Sequence, residues 1–202
     1  MTAIQGVGEE KLWRLIELRA QPNADTAAID RRIWDLFGER WAVMFTDLSG
    51  FSRRVAEFGI THFLQVIHEH RLLLYPTIEA HDGIVISAHA DSLLVMFRRP
   101  STALRCSIEM QRQCELVNQR RRPEEKILLC IGLGYGDVLR VGATELWGAE
   151  VNAASKLGED IAKSGEILVT GAVREVVDGL EVSFEDLGTA PPGASSSFRV
   201  LY

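Results

Sequence analysis

An α+β fold is predicted by this 202-residue chain, and two observations carry the prediction. The first is the order of segments from Trp41 to Gly136, which reads strand, helix, strand, strand, helix, strand. The second is the stretch Val43-Met44-Phe45-Thr46-Asp47-Leu48-Ser49-Gly50-Phe51-Ser52, where an apolar run delivers an acid to a glycine turn and then to a helix-like segment. Together they describe the split βαβ, ferredoxin-like arrangement, a βαββαβ core. A helical extension precedes it, so the chain divides into residues 1–40 and a core-bearing region, residues 41–202.

The first forty residues read as two helices. Glu9–Ala20 carries Leu12, Leu15, Ile16 and Leu18 at near-helical spacing. Gln21-Pro22-Asn23 interrupts it, and Asp25 is placed to cap a second helix over Thr26–Phe37, ended by Gly38. Trp41–Thr46 is apolar on both faces, as a central strand is, and Asp47 falls at its carboxyl end, where open α/β sheets gather ligands. Gly50 permits a tight turn, and the free N–H groups at the start of the next helix suit an anion. Capping of that helix by Asp47 or Ser49 is the simpler alternative. Ser52–Phe58 is a short helix stopped at Gly59, and Thr61 then caps a long amphipathic helix that Pro76 should kink or end. His68 and His70, two apart on that helix, diverge and make a poor metal pair.

Two β-rich runs follow, Ile84–Ala88 and Leu93–Phe97, joined by His89-Ala90-Asp91-Ser92 with Asp91 at the tip of a hairpin. Ser101–Gln119 is helical and closes on Arg120-Arg121-Arg122, three cations suited to the negative end of the helix dipole. In the strand Ile127–Leu133 and just beyond it, Gly132, Gly134 and Gly136 alternate, so one face offers bare backbone to a close neighbour. Val138–Trp147 returns as a second strand, Gly148–Ala162 is a helix, Glu166–Thr170 a strand and Val173–Val177 a short helix. Val182–Phe184 and Phe198–Tyr202 finish as edge strands.

In a ferredoxin-like sheet the first strand and the central hairpin are neighbours, which brings Asp47 and Asp91 to one edge. Two carboxylates that close repel unless a cation shares them. Hard oxygen ligands suit Mg²⁺ or Mn²⁺, and a pair of such ions can clamp both oxygens of an in-line phosphoryl displacement. Two solvated turn residues are the bland alternative. His89, two residues from Asp91, is a further candidate for the metal or for a base.

The composition narrows the function classes. A formal charge of −6 argues against wholesale binding to nucleic acid or anionic lipid. No apolar run approaches the roughly 20 residues of a membrane helix, and Met1–Gln5 lacks the basic-then-apolar pattern of a secretory signal. Cys106, Cys114 and Cys130 lie in apolar patterns without C-x-x-C spacing and read as buried, reduced thiols. A cytoplasmic protein is expected.

At five places the sequence resembles the class III nucleotidyl cyclase catalytic domain, the adenylate/guanylate cyclase family. These are Phe45–Phe51, Asp91 in its hairpin, Ile131–Gly136, Trp147–Leu157 and Gly165–Val169, in the family's order and spacing. The resemblance implies a head-to-tail homodimer that turns a nucleoside triphosphate into a 3′,5′-cyclic nucleotide, with two Mg²⁺ or Mn²⁺ ions per site. Asp47 and Asp91 would hold the metal, with a backbone carbonyl near Leu48. Ser49, Gly50 and Phe51 would meet the triphosphate. From the partner chain, Asn152 would orient the ribose. Several positions depart from the family pattern. The base-reading positions are Ser87 and Ala149, Ala90 replaces a glycine before the second acid, and Lys156 stands for the transition-state arginine. No cation matches the family's C-terminal triphosphate lysine, and the hairpin between Asp137 and Trp147 is short. Lysine keeps the charge but lacks the planar fork. Three outcomes remain open: an active cyclase of unusual base preference, a degenerate domain that binds a nucleotide or a protein and signals by conformation, or a purely structural dimerisation module that uses the N-terminal helices.

Overall fold

The computed structural model describes residues 3–202, and the side chains of all of these except residues 3–7 and 51–54. The N-terminal expectation concerning Met1 and Thr2 therefore lies outside the described residues, as does the side chain of Phe51. The elements are α1 (Ala3–Arg19), α2 (Thr26–Phe37), β1 (Gly38–Leu48), α3 (Phe51–Phe58), α4 (Ile60–Ala80), β2 (Ile84–His89), β3 (Ser92–Phe97) and α5 (Pro100–Asn118). They continue with β4 (Leu129–Val141), β5 (Glu145–Trp147), α6 (Ala149–Ser155), a π-helical turn over Lys156–Ile161, β6 (Ile167–Thr170), α7 (Gly171–Val176), β7 (Ser183–Asp186) and β8 (Ser197–Leu201).

One sheet runs β2-β3-β1-β4-β6-β8-β7, with β5 folded back on β4. Alternation along β1 decides its two faces. Ala42, Met44 and Leu48 point into a core built with Phe63, Leu74 and Ile78 of α4 and Ala103, Leu104 and Met110 of α5. Trp41, Val43 and Phe45 point the other way, toward Val151 and Ala154 of α6. Both faces of β1 are covered, which is why it reads as a continuous apolar run. The N-terminal helices pack Leu12, Leu15 and Ile33 against Val141 and Leu139 of β4. Asp25 caps α2 as expected, its carboxylate accepting from the Ala28 N–H at 3.0 Å.

The alternating glycines find their neighbour in α6. A Cβ on Gly132 would strike the Ala154 carbonyl, and one on Gly134 the Glu150 carbonyl. The helix itself carries Gly158, whose Cβ would lie 2.7 Å from the Phe45 carbonyl oxygen. Backbone thus rests on backbone across this contact. At Lys156 the helix widens into a π turn, marked by the Ala162 N–H reaching the Leu157 carbonyl five residues back at 2.8 Å. Wide turns of this kind cluster at functional sites.

Several expectations are corrected. Thr61 does not cap α4, because Gly59, at φ 84° and ψ 157°, occupies the cap and Thr61 is already helical. Pro76 neither ends nor visibly interrupts the helix, which continues to Ala80. The helix hydrogen bond that Pro76 cannot donate is the one to the carbonyl of Leu72, an exposed residue. The strand expected at Ile127–Leu133 is longer, continuing as β4 to Val141, so only Glu145–Trp147 returns on it. β8 is no edge strand: it pairs with β6 on one side and β7 on the other. Two of the three arginines after α5 pair with acids rather than with the helix end. Arg121 pairs with Glu69 and Arg122 with Glu125. All three cysteines are buried and free, and burial pushes each thiol up to about 12.

Candidate nucleotide and metal site

The antiparallel pairing of β1 with β3 sets Thr46 opposite Leu93, so the next residue of β1, Asp47, arrives beside Ser92. Ser92 Oγ donates to Asp47 Oδ1 at 3.1 Å. Asp91 precedes Ser92 in the tight β2–β3 turn and is folded inward, only 6% exposed. Two acids 44 positions apart in the chain thereby converge, as expected from the ferredoxin-like order.

Their electrostatics are those of a crowded pair. Burial pushes Asp47 up to about 6, and the Asp91 charge adds to the rise, while donors at Ser92 and Leu48 oppose it. Burial likewise raises Asp91. The Glu159 carboxylate, on the π turn, contributes further negative field to both. Asp91 Oδ2 is buried and has no hydrogen-bond partner. A buried carboxylate oxygen with nothing to accept from is costly in metal-free protein. A divalent cation held between Asp47 and Asp91 removes that cost and suits the hard oxygen donors. The residues fit such an ion.

The remaining expected residues fall into two groups. Leu48 ends β1 and is buried, and Ser49 and Gly50 form the turn into α3 with Gly50 at φ 80°, a left-handed conformation that glycine adopts without strain. The Ser49 N–H is committed to the Leu128 carbonyl at 2.8 Å, so it does not serve an anion. Phe51 opens α3. Ser87 pairs with Leu94 just past an irregularity in β2, and so lies on the face that carries Asp47. Ala149, Asn152 and Lys156 form the second group, spaced three and four apart from α6 into the π turn and exposed. Among the described residues, neither Asn152 nor Lys156 bonds to either acid. Lys156 Nζ instead meets Asp160 Oδ2 at 2.6 Å. His89 is exposed at the end of β2.

Two residues escaped the sequence reading. Ser92 follows Asp91 and shares the alternation phase of Leu94, a signal that pairs it with Asp47. Glu150 anchors the first turn of α6: its Oε2 accepts from the Tyr135 N–H at 3.0 Å and from Thr170 Oγ1 at 2.7 Å. Burial raises its pKa against those two donors. The room it occupies is the room that Gly134 and Gly136 leave. A glutamate between Ala149 and Val151 gives no local hint of this.

Residues 38–191 match the family described as the adenylate and guanylate cyclase catalytic domain. Adenylate cyclase 1 of Rhizobium meliloti (strain 1021) is 29% identical over 176 residues, covering 79% of this chain and 26% of that protein. The serine/threonine-protein kinase pkn2 of Myxococcus xanthus is 28% identical over 159 residues, covering 78% and 19%. The chain thus spans about a quarter or less of these relatives. Among solved structures, the adenylate/guanylate cyclase/hydrolase from Silicibacter pomeroyi superposes with a TM-score of 0.71 at 27% identity, covering 81% of this chain and 95% of that one. The adenylyl cyclase CyaB from P. aeruginosa does so at 0.69 and 18% identity, covering 82% and 96%, a likeness of fold. No helix among the described residues is long and apolar enough to cross a membrane.

Proposed function

This chain belongs to the adenylate and guanylate cyclase catalytic domain family, and we propose that it forms a 3′,5′-cyclic nucleotide from a nucleoside triphosphate. In this reading residues 41–202 are the catalytic domain and residues 1–40 a helical extension. The observation that carries it is the convergence of Asp47 and Asp91 around an unpartnered carboxylate oxygen. Those two side chains hold Mg²⁺ or Mn²⁺, with the Leu48 carbonyl beside them. The bound ions supply charge neutralisation for the triphosphate and lower the proton affinity of the attacking hydroxyl.

The chain's own residues do the positioning. The Gly50 turn and the first amides of α3 receive the triphosphate at the positive end of that helix. A second copy brings its exposed α6 face, so that Asn152 orients the ribose and Lys156 meets charge developing on the α-phosphate. The 3′-hydroxyl gives its proton to solvent and its oxygen bonds to the α-phosphorus as the bond to pyrophosphate breaks. Ser87 and Ala149 bear neither an adenine-reading nor a guanine-reading pair, so base preference is relaxed or unusual. Contacts that a base would satisfy set discrimination, and these positions offer few. The nucleotide and the second copy are the expected partners. Neither nucleic acid nor membrane is, and the cytoplasm is the expected compartment.

One observation favours the second reading, a degenerate domain that binds nucleotide or protein without turnover. Lys156 is ion-paired with Asp160, and a lysine so engaged is a weaker clamp than arginine. Purified protein incubated with each of the four nucleoside triphosphates and Mn²⁺ decides between them. Cyclic product that vanishes in Asp47→Ala supports catalysis. No product from any nucleotide defeats it, and a metal-dependent rise in melting temperature without turnover supports the degenerate domain.

A further inference from the structure

Asp91 is held in an unfavourable place. It is turned inward beside another acid, its Oδ2 has no partner, and it follows Ala90 at φ 48°. A non-glycine residue in the left-handed region is strained, and an alanine gains no compensating side-chain hydrogen bond there. The β2–β3 turn therefore needs an outside hold.

Arg71 provides it from α4. Its Nη2 donates to the Ala90 carbonyl at 2.9 Å, and a longer contact of 3.5 Å reaches the Ala88 carbonyl. No carboxylate pairs with Arg71 among the described residues, and its Nε is buried without an acceptor. The guanidinium is thus committed to backbone oxygens of one turn, 19 residues along the chain. Charged donors make the stronger class of hydrogen bond, and a single guanidinium nitrogen, Nη2, carries both contacts.

We infer that Arg71 is a positioning residue: by gripping the Ala90 carbonyl it keeps Asp91 aimed at Asp47 and so preforms the metal-binding pair. This rests on the metal role proposed for those acids. Removing groups that orient metal ligands weakens metal binding by about 10–100-fold.

The test uses the whole chain and Mn²⁺ alone. Free Mn²⁺ is measured by electron paramagnetic resonance in wild type, Arg71→Gln, Arg71→Met and Asp47→Ala, and amide hydrogen exchange is followed without metal. Glutamine is too short to reach Ala90, and both replacements suit a half-exposed site. The expected result is half-saturation shifted upward about 10–100-fold in both Arg71 variants, with exchange accelerated at Asp91 and Ser92 but unchanged in β4. Adding Ala90→Gly to Arg71→Gln recovers part of the affinity, since glycine takes the positive φ without strain. Wild-type Mn²⁺ affinity in the Arg71 variants, with Asp47→Ala inactive in binding, overturns this inference and leaves the function reading intact. Accelerated exchange throughout the sheet also overturns it, because Arg71 is then a general brace. Absence of Mn²⁺ binding in wild type overturns both.

Discussion

Asparagine at position 47 should make the metal-free protein more stable at alkaline pH while abolishing its metal binding. Asp47 titrates at 3.8 unperturbed and at about 6 in the folded chain. The folded state therefore holds a proton that the unfolded state has released between those values. Its contribution is fully present below the unfolded value and is lost as pH rises through the folded one. At 1.36 kcal/mol per unit the full shift is worth about 3 kcal/mol. Asp47 is only half buried, so solvent screening reduces this to about 1–2 kcal/mol. Asp47→Asn removes the charge, keeps an acceptor for Ser92 and offers an N–H to the orphaned Asp91 Oδ2.

The assay is urea unfolding of both proteins in EDTA from pH 4 to pH 8. His70 must be allowed for: burial depresses it to about 4, so its contribution is present above 6.5 and lost as pH falls toward 4. That trend opposes the one from Asp47 over nearly the same window, and subtracting the two profiles removes it. The difference should favour Asp47→Asn by about 1–2 kcal/mol at pH 8 and vanish near pH 4, and Mn²⁺ should then stabilise wild type alone. An asparagine variant less stable at pH 8, or an offset independent of pH, refutes the reasoning.

His70→Leu should lose less stability than wild type between pH 7 and pH 4.5, by about 2–3 kcal/mol, read by the same unfolding method. Gly134→Ala drives a methyl into the Glu150 carbonyl and should cost at least about 1–3 kcal/mol in urea, because the obstacle is backbone and cannot rotate away. Glu150→Leu removes the one oxygen that the Tyr135 N–H and the Thr170 hydroxyl share, and should cost at least about 1–3 kcal/mol, seen as a lower unfolding midpoint. If the chain is a cyclase, Lys156→Arg should raise turnover about tenfold in a pyrophosphate-release assay, and Asp160→Asn should raise it by freeing the lysine.

Local patterns made the centre of the fold legible. Trp41–Thr46 announces a doubly covered strand, Asp82-Gly83 and the β-rich runs announce the hairpin, and the glycine alternation announces a tight neighbour. Because the acids sit at strand ends, the topology alone placed them together. What stayed hidden depends on distant partners. β8 lies inside the sheet only because β6 runs parallel to β4 and leaves its far side open. Thr61 resembles a cap, yet Gly59, free to take φ 84°, starts the helix earlier. Glu150 and Arg71 look like surface charges until β4 and the hairpin turn are brought beside them.

At Gly132 and Gly134 the seam between β4 and the helix that covers it is backbone against backbone, with the Glu150 side chain as its filler beside Gly136, and this restricts how the protein can be regulated. Elements separated by interdigitated leucines can slip by small repacking steps, but peptide planes in direct register cannot. A regulatory input arriving through the N-terminal helices, which lean on the far end of β4, would have to shift sheet and helix as one rigid plate. Control would then come from how two such plates meet, and the interior of each would stay unchanged.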